Sequence, residues 1–117
     1  MTNKDIAYIE HILNAIKDIK NSTKDLSFED FANSKDSKDA CIRRLEIIGE
    51  AVKNLSLEIK NKYSKIEWKQ IAGTRDRIIH AYFDVDLGVV WGIIKIDLPI
   101  LDKELLNIKS SLEKKEL

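Results

Sequence analysis

The side chains best suited to chemistry crowd into residues 68–82, the stretch WKQIAGTRDRIIHAY. This stretch contains Arg75, His80 and Tyr82 on what otherwise has the composition of a core helix. Imidazole titrates near neutral pH and can give or accept a proton, whereas a guanidinium can hold a phosphate or carboxylate through a planar fork of donors. These residue types indicate acid–base chemistry on an anionic substrate, and the other elements of the chain must position them.

Arg75 falls within an apolar stripe if residues 68–82 form one helix. At about 100° per residue it lies about 40° from both Ile71 and Ile79, and His80 is rotated about 140° away. One copy of this helix therefore does not aim Arg75 and His80 at the same atom. Either the helix ends or distorts near His80, or a second chain supplies its own copy. The stripe consists of Trp68, Ile71, Ala72, Ile78, Ile79 and Tyr82.

A guanidinium on a core face needs a carboxylate partner, or a cavity in which a ligand phosphate can reach it. Glu46 and Glu50, four residues apart on a preceding helix, are candidate partners for Arg75, and Arg43 lies one turn before Glu46. A structural ion pair and a functional arginine are equally compatible with these residue types. The two glutamates could also belong to a solvated helix surface.

The composition favours a single helical domain. With 117 residues the chain can bury one core, so residues 1–117 are predicted to form one domain. Hydrophobic residues make up 44% and charged residues 34%, which is typical of globular proteins. Four glycines and one proline are few for a sheet protein, which needs more turn residues. We therefore predict an all-α, up-and-down bundle of four to five helices.

Charge and cysteine usage narrow the classes of function. Twenty basic and twenty acidic residues cancel, so no global positive field attracts nucleic acid and any phosphate recognition must be local. One cysteine, Cys41, and two histidines cannot supply a disulfide or the usual zinc ligand sets. We therefore expect no metal and no cofactor. The N-terminus lacks a leader pattern and no run of about eighteen apolar residues occurs, which predicts a cytoplasmic protein without a membrane span.

Two long helices are predicted in the first half of the chain, over about residues 3–20 and 39–57. Each carries apolar residues at spacings of three and four, and Cys41 falls on the seam of the second as a small buried hydrophobe. Gly49 lies beside that seam in mid-helix. Since glycine weakens a helix there, its presence indicates a close approach of another helix.

Segment 21–39 is polar and is predicted to be a connector with one short helix. Ser27 and Asp30 have the spacing of a helix cap, and Phe28 and Phe31 are expected to be buried.

Residues 55–67 are interpreted as a helix end and a turn. Ser64, followed three residues later by Glu67, has the pattern of a capping box and predicts a helix start within residues 65–68.

The last helix has the clearest periodicity, with a seam from Leu87 to Leu112 that alternates spacings of four and three. A second apolar seam covers its first half alone. Two apolar faces indicate that this half is covered by something further, most simply a second copy of the chain, which predicts a homodimer. Pro99 is expected to kink the helix because it frees the carbonyl of Lys95. The second seam consists of Val89, Ile93, Ile96 and Ile100.

The spacing Arg75-x4-His80-x-Tyr82 resembles the R-x4-H-x-Y motif of HepT-like toxins, a branch of the HEPN superfamily of helical ribonucleases. The resemblance covers nearly the whole chain and is weakest between residues 21 and 36 and after residue 109. Its segments are RRLEIIGEAVKNLS at 43–56, W-x2-IAG-x-RDRIIHAYF at 68–83, and VDLGVVW followed by DLP at 97–99.

This resemblance implies metal-independent RNA cleavage in a cleft between two protomers, without a cofactor. His80 would act as a general acid or base, and Arg75 would neutralise charge that grows on the phosphate. Asp76 and Arg77 would contact the RNA phosphate or orient the catalytic groups. Many HEPN proteins have asparagine at the position of Asp76, so this residue could orient His80, repel the phosphate, or do both.

The resemblance also implies a partner. HepT-like toxins are encoded beside a small MNT-type nucleotidyltransferase antitoxin, which attaches AMP to the motif tyrosine, here Tyr82. AMP there would add charge and bulk where RNA phosphate should lie. The chain is thus predicted to be the toxin of a HepT/MNT (type VII) toxin–antitoxin system. Two other hypotheses stay open: a non-catalytic helical module or scaffold for a nucleotidyltransferase, and a dimeric bundle in which Arg75 merely pairs with Glu46 or Glu50.

Overall fold

Helices form the regular structure of the chain. The structure, a computed structural model, describes residues 3–74 and 87–116. These residues contain no strand, and the predicted all-α class is confirmed. A π-helical turn, Ile93–Asp97, joins the last two helices of the chain, so that residues 87–116 form one C-terminal helix. The helices are α1 (Asn3–Thr23), α2 (Phe28–Asn33), α3 (Lys35–Lys53), α4 (Leu57–Lys62), α5 (Trp68–Ala72), α6 (Leu87–Gly92) and α7 (Leu98–Glu116).

With the C-terminal helix counted as one, the described residues form six helices, whereas four to five were predicted. The segment interpreted as a helix end and a turn contains the separate helix α4, so that interpretation is wrong. Helix α3 both begins and ends four residues before its predicted bounds, because Ser34 caps its start and Asn54 its end. The Oγ of Ser34 accepts a hydrogen bond from Ser37 N at 3.2 Å, and Asn54 Nδ2 donates to Glu50 O at 2.9 Å.

Helices α1 and α3 run antiparallel. Near the start of α1, the buried carboxylate of Asp5 accepts hydrogen bonds from Ser56 N at 2.9 Å and from Ser56 Oγ at 2.8 Å. Ser56 lies just beyond the end of α3. The same hydroxyl accepts from Ile59 N at 3.3 Å and so caps α4. Nearer the other end, Arg44 Nη1 donates to Ser22 Oγ at 3.2 Å.

The C-terminal helix is also antiparallel to α1. Lys95 Nζ in its first half donates to Thr23 O, at the end of α1, at 3.1 Å. Lys109 Nζ in its second half lies 3.7 Å from Glu10 Oε1, in the first half of α1. Both long partners of α1 are therefore antiparallel to it and parallel to each other.

The core lies between these three long helices. The seams with spacings of three and four are buried, because those positions share one face of each helix. The pKa of the Cys41 thiol is raised, because the effect of burial exceeds the opposite effect of the Arg44 and Lys95 cations. Cys41 is thus a packed hydrophobe, as predicted. Fully buried members of the core include Ile9, Ile12, Ile19, Phe31, Leu45, Ile48, Val52, Leu105 and Ile108.

Helix α2 begins with the predicted capping box. Ser27 Oγ accepts from Asp30 N at 3.0 Å, and Asp30 Oδ2 accepts from Ser27 N at 3.1 Å. Phe31 is fully buried, but Phe28 keeps 41% of its surface exposed, so its predicted burial is wrong. As the first residue of α2, Phe28 meets Trp91 edge-on, with ring centroids 6.2 Å apart, and its other side stays uncovered.

Helix α5 starts without the capping box predicted from Ser64 and Glu67. Glu67 is the N-cap residue and its side chain makes no capping hydrogen bond. Burial of Trp68 fixes the start instead, because its indole Nε1 donates to Tyr63 O at 3.0 Å while the ring packs into the core.

The C-terminal helix has its irregularity ahead of Pro99 rather than at it. In the π-helical turn the N–H of Leu98 bonds to Ile93 O, five residues back. Proline has no N–H to donate to the hydrogen bonds of the helix. The extra residue of the π-helical turn, directly before Pro99, accommodates the missing hydrogen bond. Within residues 3–74 and 87–116, no helix combines the length and the apolar character that a membrane crossing requires.

Candidate functional site

The chain enters the predicted motif from α5, which ends at Ala72. The N–H of Gly73 bonds to Lys69 O at 2.9 Å and caps the helix. The single helix predicted over residues 68–82 is therefore interrupted at Gly73. Arg75 lies outside the described residues, so its predicted place on the apolar stripe stays a prediction.

Thr74 is the last described residue before the motif, and it is buried. Its hydroxyl donates to Gln70 O at 3.3 Å, which satisfies the polar group inside the protein. This buried position fixes the point from which the chain continues to Arg75.

A close contact between α3 and α5 positions that point. A Cβ added at Gly49 would lie 3.3 Å from the carbonyl oxygen of Ala72 and 3.4 Å from that of Ile71. The absence of a side chain lets the end of α5 rest on α3, so the predicted close approach at Gly49 is confirmed. Glu46 and Glu50 lie on either side of this contact along α3.

Gly49→Ala is expected to give no gain in stability, although alanine favours a helix over glycine by about 1 kcal/mol. The added methyl group would crowd the end of α5 and offset that preference. Gly92→Ala is the matched control, because a Cβ there meets nothing within 4 Å and the full gain should appear. Urea unfolding of the two variants measures the difference. Equal gains would contradict the role of Gly49 as a spacer.

A cleft of about 190 Å³ opens beside Thr74, between α3, α5 and the C-terminal helix. Its floor is apolar and includes Leu45, Ile48 and Ile93, which are buried. The polar residues of its rim are Lys65, Glu67, Gln70, Asp97 and Glu104.

Among the described residues, the rim of this cleft carries negative charge. Three carboxylates, from Glu67, Asp97 and Glu104, face one ammonium group, that of Lys65. A negative rim repels the phosphates of a nucleic acid. Together with the apolar floor, it suits protein side chains better than an RNA backbone.

Exposed apolar side chains continue the wall of the cleft. Ile100 lines it and is 57% exposed, Ile96 in the π-helical turn is 63% exposed, and Val89 in α6 is 37% exposed. Ile93, the fourth member of the second seam, is buried within the chain, so its predicted place on the outer face is wrong. The other three form an exposed apolar row on the C-terminal helix, and of these Ile100 lines the cleft.

Most of the predicted site lies outside the described residues. This applies to the catalytic pair, to its two charged neighbours and to the tyrosine proposed for modification, whose roles stay predictions. They are Arg75, His80, Asp76, Arg77 and Tyr82.

The predicted ion-pair residues are described. Glu46 is half-buried, whereas Glu50 and Arg43 are exposed. None of the three forms an ion pair with another described residue. A role in supporting Arg75 therefore stays a prediction.

The cleft residues outside the motif were not anticipated. Gln70 and Thr74 are four residues apart and line the same wall, while Asp97 and Glu104 are seven apart on the C-terminal helix. The spacing of these polar residues beside the second apolar seam is the feature of the sequence that could have indicated the cleft. A polar edge along an uncovered apolar face is typical of the rim of an interface.

Comparison with known proteins decides the family. The model of the family described as "Ribonuclease HepT-like" matches residues 12–108. The chain belongs to the HepT-like ribonuclease family. The matched range contains the described cleft, from Leu45 to Glu104, and the whole R-x4-H-x-Y stretch.

HepT-like relatives extend over most of the chain. The "Gamma-glutamylcyclotransferase and putative RNase" of Methanocaldococcus jannaschii is 49% identical over 95% of the chain, which covers 50% of that longer protein. A second M. jannaschii protein, "Putative RNase", is 46% identical over 98% of the chain and 100% of its own length. "Probable ribonuclease HepT" of Thermococcus cleftensis is 46% identical over 80% of the chain and 86% of its own length. No solved structure matches the chain.

Proposed function

We propose that this chain is a metal-independent endoribonuclease that acts as the toxin of a HepT/MNT toxin–antitoxin system. The observation that carries the proposal is the complete sequence Arg75-x4-His80-x-Tyr82 in a chain of the HepT-like ribonuclease family. The buried Thr74 and the contact at Gly49 support it, because they anchor the backbone directly before this motif.

The chemistry uses the 2′-hydroxyl of RNA as the nucleophile. Its oxygen forms a bond to the adjacent phosphorus while the bond from phosphorus to the 5′-oxygen breaks. The products are a 2′,3′-cyclic phosphate and a 5′-hydroxyl. His80 takes the proton of the 2′-hydroxyl or gives a proton to the departing 5′-oxygen, and two copies in a dimer can serve both roles.

Charge on the phosphate is the second requirement. Arg75 binds the non-bridging oxygens and stabilises the charge that grows on them in the transition state. Arg77 adds a local cation in a protein whose formal net charge is zero. Asp76 orients His80, and its carboxylate also limits how closely a phosphate can approach.

A second copy of the chain completes the site. Val89, Ile96 and Ile100 form an uncovered apolar row beside the cleft at Thr74, and a homodimer would bury this row. The acidic rim then borders the interface.

The partner of the toxin is an MNT-type nucleotidyltransferase, which silences it by transferring AMP to Tyr82. The tyrosyl oxygen bonds to the α-phosphorus of ATP, pyrophosphate leaves, and the phenolic proton is lost. The attached phosphate repels RNA at the motif and the adenosine blocks it sterically.

Expression of the chain without its partner is expected to arrest bacterial growth, and His80→Ala is expected to restore it. Co-expression of the nucleotidyltransferase from the neighbouring reading frame should also restore growth. His11→Ala is the control, because the other histidine of the chain is an exposed residue of α1 and should leave toxicity unchanged. Equal toxicity of the His80 variant would remove the catalytic assignment.

The modification has its own expected result. After co-expression with the nucleotidyltransferase, the intact mass of the chain should rise by one or more adenylyl groups, each the mass of AMP less one water, since the phenolic proton is lost and pyrophosphate leaves. Tyr82→Phe should prevent the increase, whereas Tyr8→Phe, at a half-buried tyrosine of α1, should not. Unchanged mass in the unmodified sequence, with the partner shown to be active, would argue against this regulation.

A second candidate function has support from the cleft. Its acidic rim and apolar floor suit a protein partner, so the chain could be a non-catalytic module that binds a nucleotidyltransferase. Under this alternative the purified protein leaves every RNA intact and still forms a stoichiometric complex. The two functions therefore separate on RNA cleavage and not on complex formation.

A further inference from the structure

Basic side chains gather at the C-terminal end of α1, away from the acidic cleft. Lys95 Nζ donates to the carbonyl of Thr23 at 3.1 Å, and Arg44 Nη1 donates to the hydroxyl of Ser22 at 3.2 Å. Two exposed lysines join them from α1 itself and from the residue after it. The four basic residues are Lys20, Lys24, Arg44 and Lys95.

A groove of about 340 Å³ lies at this end, between α1 and the C-terminal helix. Three of the lysines line it, and Asp102 is the one carboxylate among its lining residues, so the groove has a formal charge of 3 − 1 = +2. Leu98 lines both this groove and the cleft at Thr74, so the two flank the C-terminal helix. In a chain with no net charge, the two sites have opposite local charge.

Aromatic rings adjoin the basic groove. Lys95 Nζ lies 4.7 Å from the centre of the Trp91 ring, and Phe31 packs against the same ring at 5.0 Å. Phe28 touches Trp91 edge-on and keeps 41% of its surface exposed.

Two of these cations also act on a buried thiol. Burial raises the pKa of the Cys41 thiol, and both Arg44 and Lys95 act on the same thiol in the opposite direction. Two cations from different helices are therefore close enough to act on one buried group between them.

We propose that this groove binds single-stranded RNA, with backbone phosphates on Lys20, Lys24 and Lys95 and one unstacked base on the ring of Phe28. A cationic groove beside an exposed aromatic ring is the arrangement that binds single strands without reading sequence. A double helix cannot use the ring, because its bases are stacked on one another. An acidic protein segment would satisfy the lysines but would leave the ring without a function.

This inference rests on the proposed function, in that a ribonuclease must hold its substrate strand beyond the cleaved bond. The groove adds affinity for long RNA and takes no part in bond cleavage. Its removal should therefore change the binding of long strands and leave the cleavage of a dinucleotide unchanged.

The binding test uses the His80→Ala protein, so that RNA stays intact, and a fluorescent single-stranded RNA of about 12 nucleotides. Lys20→Gln with Lys24→Gln is expected to weaken binding roughly tenfold at low salt and to reduce the slope of log K against log salt by about 1.4. The matched control is Lys4→Gln with Lys114→Gln. Both residues are exposed at the opposite end of the α1–α7 pair, and the change of net charge is the same. An equal loss of RNA affinity in both double variants would overturn the proposed binding of RNA in the groove.

The ring has a separate test in the same assay. Phe28→Ala should weaken binding of the single strand several-fold, whereas Phe28→Tyr, which keeps the stacking surface, should restore it. Circular dichroism and thermal melting check that Phe28→Ala retains the fold. Equal binding by Phe28→Ala and the parent protein would overturn the stacking contact.

Active protein separates this inference from the proposed function. With His80 present, Lys20→Gln with Lys24→Gln should raise KM for long RNA and leave the rate on a dinucleotide unchanged. Absence of cleavage in every protein would overturn the proposed nuclease activity. The binding measurement with the fluorescent RNA would still decide whether the groove binds RNA. If RNA binding is unchanged and the complex with the nucleotidyltransferase weakens, the groove takes a protein and the RNA proposal is overturned.

Discussion

His80→Ala is expected to slow RNA cleavage by about 10²- to 10⁴-fold, the usual contribution of a positioned acid or base. The imidazole is the one group of the motif that can exchange a proton near neutral pH. The parent enzyme should therefore show a rate that depends on pH near the histidine pKa, and the variant should lose this dependence. Initial rates on a defined RNA across this pH range measure both effects.

Two controls isolate the role of His80. His11→Ala removes an exposed imidazole from α1 and should retain the full rate. Arg75→Ala should lose a similar factor through poorer stabilisation of the phosphate, but it should keep the pH dependence. A His80 variant that cleaves as fast as the parent would show that the histidine has no part in proton transfer.

Ile96→Asp combined with Ile100→Asp is expected to convert the proposed dimer to a monomer and to abolish RNA cleavage. The two side chains are 63% and 57% exposed, so an isolated chain loses little packing when they change. In a dimer each buried isoleucine contributes about 1.5–3 kcal/mol, and the double substitution removes four of them and adds four charges. The dissociation constant should rise by several orders of magnitude. Analytical ultracentrifugation and the cleavage assay measure the two outcomes.

Leu106→Asp is the control for this double variant. Leu106 is 51% exposed on α7, lies outside the row beside the cleft, and should leave both assembly and cleavage unchanged. A stable dimer of the Ile96 and Ile100 variant would place the interface elsewhere. A fully active monomer would overturn the requirement for two chains.

The long helices were predictable because each has one dominant seam. Apolar residues spaced by three and four share a face, and burying that face outweighs the weak intrinsic preferences of single residues. The cap at Ser27 was predictable for a similar local reason, since Asp30 stands where it can complete a capping box. The same pattern failed at Ser64, where the burial of Trp68 sets the helix start instead.

Contacts between distant segments were less accessible from the sequence. Gly49 indicated a close approach, but not that the backbone of α5 at Ala72 makes it. The bond from Ser56 to Asp5 joins residues far apart in the chain, and it converts a presumed turn into the capped helix α4. Such pairings depend on how helices dock, which periodicity alone does not specify.

The site shows the same division. Residue types and spacing identified the motif, whereas the angular argument assumed that one helix runs from Trp68 to Tyr82. Helix α5 ends at Ala72 and is capped at Gly73, so the described part of the stretch is not one unbroken helix. The acidic cleft and the basic groove could not be predicted, since each combines side chains from several helices.

The chemistry of the RNA ends tests the proposed metal-independent cleavage most directly. The purified protein, incubated with a single-stranded RNA in excess chelator, should give fragments that end in a 2′,3′-cyclic phosphate and begin with a 5′-hydroxyl, as read by mass spectrometry. His80→Ala in parallel should leave the RNA intact. Intact RNA from the active dimer, or fragments with 5′-phosphates that form only when a divalent metal is added, would contradict it.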